Sequence, residues 1–308
     1  MHIVFVGAGG IGGYFGARLI ESGAEVSFVA RDGRHAQAIR ESGLRVTSPL
    51  GNALVRPHVV SADPAAIEAA DLVVFTVKMP DAQAAIAQLA PLVRPGTVVL
   101  PLQNGVDIAD MLAARIGADA VALGTAHIGV KIAAPGHIEH SGGFARLRFG
   151  ALQPGQLPRL EAFHAACRKA GIEAELQADV WRASWEKFVF LVAVSGLTAL
   201  TRKPIGATQA EPELQRMLHA AMAETAALAR AEGIALADDF VATQMATAMA
   251  LPPGMKASML HDLEAGRPLE LPWLAAAVVR RSQRFGLDAP VNRFIAAALS
   301  PYVNGAAA

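Results

Sequence analysis

The chain opens on an uninterrupted apolar run, Ile3-Val4-Phe5-Val6. Glycines follow at positions 7, 9, 10, 12 and 13, and Ile11, Phe15, Leu19 and Ile20 recur at helical spacing. Such a run predicts a strand buried on both faces over 3–6, and the periodicity predicts a helix over about 10–22 that turns those four side chains to a sheet. The same alternation continues, with strands expected over 25–30, 44–47, 71–77 and 97–100. An extended piece is expected over 53–60, and helices over 36–42 and 81–93. A strand region over 121–130 precedes two pieces, 136–141 and 145–149, which read as a β-hairpin turning at Gly142-Gly143. A helix over 157–170 and a strand over 172–176 close this half. Beyond Ala178 strand patterns cease. Helical patterns cover 180–200, 210–232, 237–249, 258–264, 271–285 and 291–302, broken by Pro204, Gly233, Pro252-Pro253-Gly254, Gly266-Arg267-Pro268 and Pro290. The expected class is α/β: an N-terminal Rossmann-type dinucleotide-binding domain over 1–178 and an all-α C-terminal domain over 179–308.

Gly7, Gly9 and Gly12 have the spacing G-x-G-x-x-G between the first strand and the first helix, the context in which that motif binds a dinucleotide. Gly7 permits the turn out of the strand, Gly9 lets a pyrophosphate approach the backbone, and Gly12 lets the helix pack closely on the strand. The helix start, with Gly10 and Ile11, offers free N–H groups and the positive dipole end to an anion. The bland reading of the same residues is a glycine-rich turn that only packs.

Arg31 stands at the end of the second strand, with Arg34 close behind. An acidic residue there would bind the adenosine ribose, whereas a cation favours the 2′-phosphate of NADPH. Asp32 reads as an N-terminal helix residue. Lys78 and Asn104 fall at strand ends, where open α/β sheets bind their ligands. Lys78 is either a ligand contact or a surface lysine, and Asn104 either an amide toward ribose or nicotinamide or a plain Asn-Gly turn. His137 and His140 lack the Cys or carboxylate partners of a zinc site, so no metal is expected.

Charge changes the picture by exclusion. The 308 residues carry 27 basic and 27 acidic side chains, so neither nucleic acid nor an anionic membrane surface is indicated and a small-molecule substrate is the default. The one cysteine, Cys167, forms no intramolecular disulfide, which favours the cytoplasm. The longest mostly apolar stretch, 188–200, falls short of the roughly 20 residues a membrane span needs and reads as a core helix. Just before it, Lys187 stands among Trp181, Trp185, Phe188 and Phe190. An amine in that setting is either a snorkelling rim residue or a functional group with a displaced pKa.

Across its length the chain resembles the ketopantoate reductase (2-dehydropantoate 2-reductase) family. The resemblance runs through Gly7-Ala8-Gly9-Gly10-Ile11-Gly12, Thr76-Val77-Lys78, Gln103-Asn104-Gly105, Trp185-Glu186-Lys187-Phe188 and Leu197-Thr198-Ala199-Leu200. It continues through Ser258-Met259-Leu260-His261-Asp262 and Gly266-Arg267-Pro268-Leu269-Glu270. It implies a cytoplasmic NADPH-dependent reductase of pantothenate biosynthesis, converting 2-dehydropantoate to pantoate. Gly7, Gly9, Gly10, Ile11, Gly12, Arg31, Lys78 and Asn104 would hold the cofactor, Lys187 would be the general acid, and Asn104, Ser258 and Glu270 would contact substrate. At two substrate positions where the family carries asparagine, this chain has Leu191 and Ser195, one and two turns beyond Lys187, and Met255 replaces a third. Loss of three amides points to a less polar 2-oxo acid or other carbonyl compound as the alternative substrate. A catalytically silent NADPH-binding sensor is the alternative from another class, opposed by the survival of Lys187, Ser258 and Glu270. A homodimer through the helical half is compatible with the chain, and nothing in the sequence determines the oligomer.

Overall fold

The computed structural model describes residues 1–306; the last two residues of the range 179–308 lie outside them. The chain divides into two compact units. One comprises Met1–Gln103 and Asp107–Val180, and the other Asn104–Val106 together with the chain from Trp181 onward.

In the first unit, the wholly buried β1 (His2–Val6) is followed by α1 (Gly10–Glu21), β2 (Glu25–Val29) and α2 (Arg34–Ser42). Then come β3 (Leu44–Thr47), β4 (Ala53–Val55), β5 (Val60–Ser61), β6 (Leu72–Phe75), α3 (Met79–Ala87) and β7 (Val98–Pro101). Strands β5-β2-β1-β6-β7 form one parallel sheet, with Val6 opposite Val29 on one side and Phe75 on the other. The order reverses direction at β1, which makes the carboxyl ends of β1 and β6 the topological switch point where such sheets bind ligands. Helix 81–93 of the sequence reading begins two residues earlier, with Pro80 in its first turn, and stops at Ala87. A 3₁₀ turn over Ala90–Leu92 contains Pro91, which cannot continue an α-helix. Asp32 precedes α2 instead of opening it, and accepts an ion pair from Arg40 at 3.2 Å.

The chain continues through α4 (Ile108–Ile116), a helix not expected from sequence, then β8 (Leu123–Ala134), β9 (His137–Gly150), α5 (Leu157–Lys169) and β10 (Glu173–Leu176). A second sheet, β10-β9-β3-β4 with β8 beside β9, covers α1 from the other side. The expected hairpin at Gly142-Gly143 is absent, because β9 runs straight through those residues. The turn lies at Pro135-Gly136, where Gly136 has φ +70°. Ile128 pairs with Ala145 and Gly129 with Ser141, so 142–144 are extra residues in a bulge, and Gly142, at φ +97°, supplies its left-handed backbone.

Lying between two sheets, α1 is buried on more than the one face its periodicity suggests. Phe15 and Leu19 are fully buried as expected. Ile11 and Ile20 are only half-buried at the ends, while Tyr14 and Arg18 are buried instead. A Cβ on Gly16 would lie 2.4 Å from the Phe28 ring, and one on Gly13 would lie 2.9 Å from Ile138. The glycines let both sheets approach closely.

The second unit is helical: α6 (Val180–Thr201), α7 (Ile205–Ala210), α8 (Pro212–Ala231), α9 (Phe240–Met249), α10 (Ser258–Glu264), α11 (Ala275–Ser282) and α12 (Pro290–Leu299). The pattern over 210–232 starts a new helix at Pro212, for which Glu211 caps the first turn by accepting from the Glu213 N–H. Helix α6 is long and apolar enough to cross a membrane by length and composition. Yet 72% of its most apolar window is buried within the fold, as for a core helix. Trp185, Phe188, Val192, Leu197, Leu218, Met222 and Ile295 belong to that core.

Candidate active site

At the switch point the glycines do separate jobs. A Cβ on Gly12 would stand 2.1 Å from the Gly7 carbonyl oxygen and 2.5 Å from Thr76 Oγ1. Gly7 has φ +107° and would bring a Cβ within 3.0 Å of the Val77 nitrogen. Thr76 Oγ1 donates to the Gly7 carbonyl at 2.8 Å and lies 3.1 Å from that of Val6, tying the ends of β1 and β6 together. Sequence reasoning passed over that role for Thr76, although a hydroxyl at a strand tip is its signal. A Cβ on Gly9, the N-cap of α1, would meet nothing within 4 Å. The loop is thus tight where helix meets strand and open at the helix N-terminus, where Gly10 and Ile11 begin the helix. That combination fits a pyrophosphate on free N–H groups.

Arg31, beyond β2, is 84% exposed at its side chain and forms a two-point ion pair with Asp81, at 3.1 and 3.0 Å. Arg34 is the exposed first residue of α2. Lys78 is exposed and is the N-cap of α3. His137 Nε2 lies 2.8 Å from Thr47 Oγ1. His140 is engaged elsewhere, by Ser48 Oγ at 2.8 Å and the Phe144 carbonyl at 3.1 Å.

In the helical unit three predicted residues come together. Lys187 Nζ donates to Asn104 Oδ1 at 3.0 Å, and Asn104 Nδ2 donates to Glu270 Oε2 at 3.2 Å. Asn104 is therefore more than an Asn-Gly turn, since its amide is oriented by a cation on one side and a carboxylate on the other. The next residue, Gly105, has φ +100°, and a Cβ there would meet the Trp273 carbonyl at 2.9 Å. Val106 is then buried in the helical core. This short segment carries Asn104 from the end of β7 to the face of α6 that bears Lys187.

Lys187 is half-buried on α6 between Trp185 and Phe188, whose fully buried rings meet edge to face at 5.4 Å. Burial pushes its ammonium down from the ordinary lysine value to about 8, and the nearby Glu270 carboxylate opposes the shift. Glu270 is 9% exposed. A protonated amine held by an oriented amide, with a pKa near neutrality, is equipped to deliver a proton.

The remaining expected site residues take no part in this chain of hydrogen bonds. Ser258 is the exposed first residue of α10. Leu191 and Met255 are partly buried against the helical core, and Ser195 is wholly buried with no hydrogen-bond partner for its Oγ among the described residues.

Comparison with known proteins bears on both units. The family model described as "Ketopantoate reductase PanE/ApbA" matches residues 3–154, and its C-terminal counterpart matches residues 179–303. The chain belongs to the ketopantoate reductase family. It is an oxidoreductase. The 2-dehydropantoate 2-reductase of Halobacterium salinarum is 33% identical over 298 residues, which cover 96% of this chain and 97% of that protein. The crystal structure of 2-dehydropantoate 2-reductase from Geobacter metallireducens is 32% identical. It superposes with a TM-score of 0.90 over 98% of this chain and 99% of its own. A ternary structure of D-mandelate dehydrogenase with NADH and anilino(oxo)acetate shares the fold, with a TM-score of 0.89 at 20% identity and 98% coverage of each chain.

Proposed function

We propose that this reductase converts a 2-oxo acid to the 2-hydroxy acid with NADPH, 2-dehydropantoate to pantoate being the family reaction. The observation that carries the reading is the contact chain Lys187, Asn104, Glu270. The cofactor, when bound, supplies a hydride to the carbonyl carbon. Lys187 stabilises the negative charge that develops on the carbonyl oxygen and transfers a proton to it from Nζ, which completes the alcohol and leaves a neutral amine. Asn104 holds the lysine side chain, and Glu270 holds the Asn104 amide while raising the lysine's proton affinity. The phosphates belong to the Gly7–Gly12 loop, and the 2′-phosphate to Arg31. A sensor would have no use for a proton donor so supported, so catalysis is the better reading.

Leu191 and Met255, partly buried on apolar surroundings, support a second reading within the same reaction class. A polar substrate group left unpaired against such side chains costs about 1–3 kcal/mol. The fold, shared with a protein named D-mandelate dehydrogenase, does not restrict the substrate. NADPH oxidation against a panel of 2-oxo acids tests both readings. A 2-oxo acid with a plain branched alkyl chain is expected to give a higher kcat/KM than 2-dehydropantoate, and clear preference for 2-dehydropantoate returns the family reaction. No turnover of any member, with NADPH bound, would place the substrate among other carbonyl compounds.

Cofactor choice gives a separate expectation. NADPH should bind at least about tenfold more tightly than NADH, or about 1.4 kcal/mol, through charge-assisted contacts to Arg31. Equal dissociation constants, or an undiminished preference in Arg31→Ala, would remove Arg31 from the site.

A further inference from the structure

Both ring nitrogens of His35, the second residue of α2, are engaged by backbone. Nε2 lies 2.9 Å from the Ala8 carbonyl oxygen, and the Gly136 N–H donates to Nδ1 at 3.0 Å. A backbone N–H only donates, so Nδ1 is the acceptor and the ring proton sits on Nε2, from which it is donated to Ala8. The hydrogen-bond network thereby assigns a neutral ring in one tautomer. Its partners belong to different layers of the first unit: Ala8 lies within the glycine loop between Gly7 and Gly9, and Gly136 lies in the β8–β9 turn of the second sheet. The turn is seated tightly on α2, for a Cβ on Gly136 would come 3.0 Å from that of Ala38.

The consequence for the loop follows from peptide geometry. The Ala8–Gly9 peptide is planar and trans, so drawing the Ala8 carbonyl toward His35 turns the Gly9 N–H to the opposite side. Gly9 is the N-cap of α1, beside open space. The N–H groups at this end have no partner within the helix, and their direction decides how well an anion is held. We propose that His35 is a positioning residue for the cofactor. Its Nε2–H locks the Ala8–Gly9 peptide in the orientation that presents the Gly9 N–H to the pyrophosphate, and its Nδ1 anchors the imidazole to the second sheet. The proposal rests on the reading that the glycine loop binds a dinucleotide. It adds a residue outside the glycine motif that sets the loop's affinity without touching the cofactor.

Two amides separate the two ring contacts. The side-chain nitrogen of glutamine occupies the place of Nε2 and keeps the bond to Ala8. The oxygen of asparagine occupies the place of Nδ1 and keeps the bond from Gly136, but its side chain is too short to reach Ala8. The experiment titrates NADPH fluorescence in wild type, His35→Gln, His35→Asn and His35→Ala, with thermal unfolding and steady-state kinetics alongside. His35→Ala and His35→Asn should both weaken NADPH binding by about five- to tenfold, raising the KM for NADPH with kcat nearly unchanged. His35→Gln should stay within about threefold of wild type, whatever its melting temperature. If the alanine variant does not fold, the glutamine and asparagine variants decide alone. Asparagine restoring affinity where glutamine fails, or affinity that merely follows thermal stability across the series, would overturn the proposal and make His35 a tie between α2 and the turn. A wild type that binds neither NADPH nor NADH would overturn the dinucleotide reading itself, and this inference with it. Wild-type binding left intact in His35→Ala would overturn the positioning role alone.

Discussion

Lys187→Ala is expected to lower kcat for reduction by about 10²–10⁴ while leaving the NADPH dissociation constant nearly unchanged. Hydride arrival places a full negative charge on oxygen, and nothing else in the Lys187, Asn104, Glu270 chain can neutralise it by giving up a proton: the amide does not ionise and the carboxylate is an acceptor. Cofactor affinity should survive because the glycine loop belongs to the other unit. The pH dependence has a definite sign. A lysine at about 8 in the free enzyme is protonated below that pH and loses its proton above it. Hence kcat/KM in the reduction direction should be level at lower pH and fall as pH rises through about 8. Glu270 opposes the burial that lowers this pKa, so Glu270→Gln should move the falling limb to lower pH. A Lys187→Ala enzyme with most of its turnover, or one losing NADPH affinity in step with rate, would return the lysine to a structural role.

The second large effect separates two glycines of one motif. In Gly12→Ala the new methyl would stand 2.1 Å from a backbone oxygen, so either α1 or the end of β1 must move. Alanine gains about 1 kcal/mol over glycine in a helix. Overpacking of this kind costs about 1–3 kcal/mol or more, and the clash against backbone outweighs the gain. A lower melting temperature and weaker cofactor binding are expected together. Gly9→Ala meets nothing within 4 Å and has φ −71°, which alanine adopts without strain. Its stability should stay within about 0.5 kcal/mol of wild type, yet the methyl occupies the approach to the helix N-terminus. NADPH affinity should fall by at least about tenfold. Calorimetry and fluorescence titration distinguish the two, and unchanged NADPH binding by Gly9→Ala would show that the pyrophosphate is held elsewhere.

How far the chain could be read depended on the range of the interactions that decide each feature. The β1-loop-α1-β2 start was legible because its determinants are local: an apolar run, glycines at required positions, and a 3.6-residue period. The same holds for the change from alternating elements to helices after Ala178, and for Lys187 as an amine on an apolar helix. The local signal misplaced one turn. Gly142-Gly143 read as the turn and Gly136 as the start of a strand, and only the pairing of β8 with β9 put the turn at Pro135-Gly136 and made 142–144 a bulge. The strands of the second sheet were legible one by one, but their assembly into one sheet had no local signature. Strand β3 pairs with β9 in parallel, Arg45 opposite His137, far apart in the chain. That register is selected by burying α1 from both sides, which no window of sequence contains.

The candidate site divides along the same line. Sequence alone determined which residue types were available: glycines at a strand end, an arginine beyond β2, a lysine among aromatics, and three positions without the amides that the family carries. Tertiary structure alone decided that Asn104 leaves the parallel sheet to join Lys187 and Glu270, that Ser195 is shut inside the helical core, and that His35 reaches Ala8. Side-chain chemistry is a property of one residue, whereas a proton donor's orientation, its burial and its neighbouring charge exist only once distant segments have packed around it.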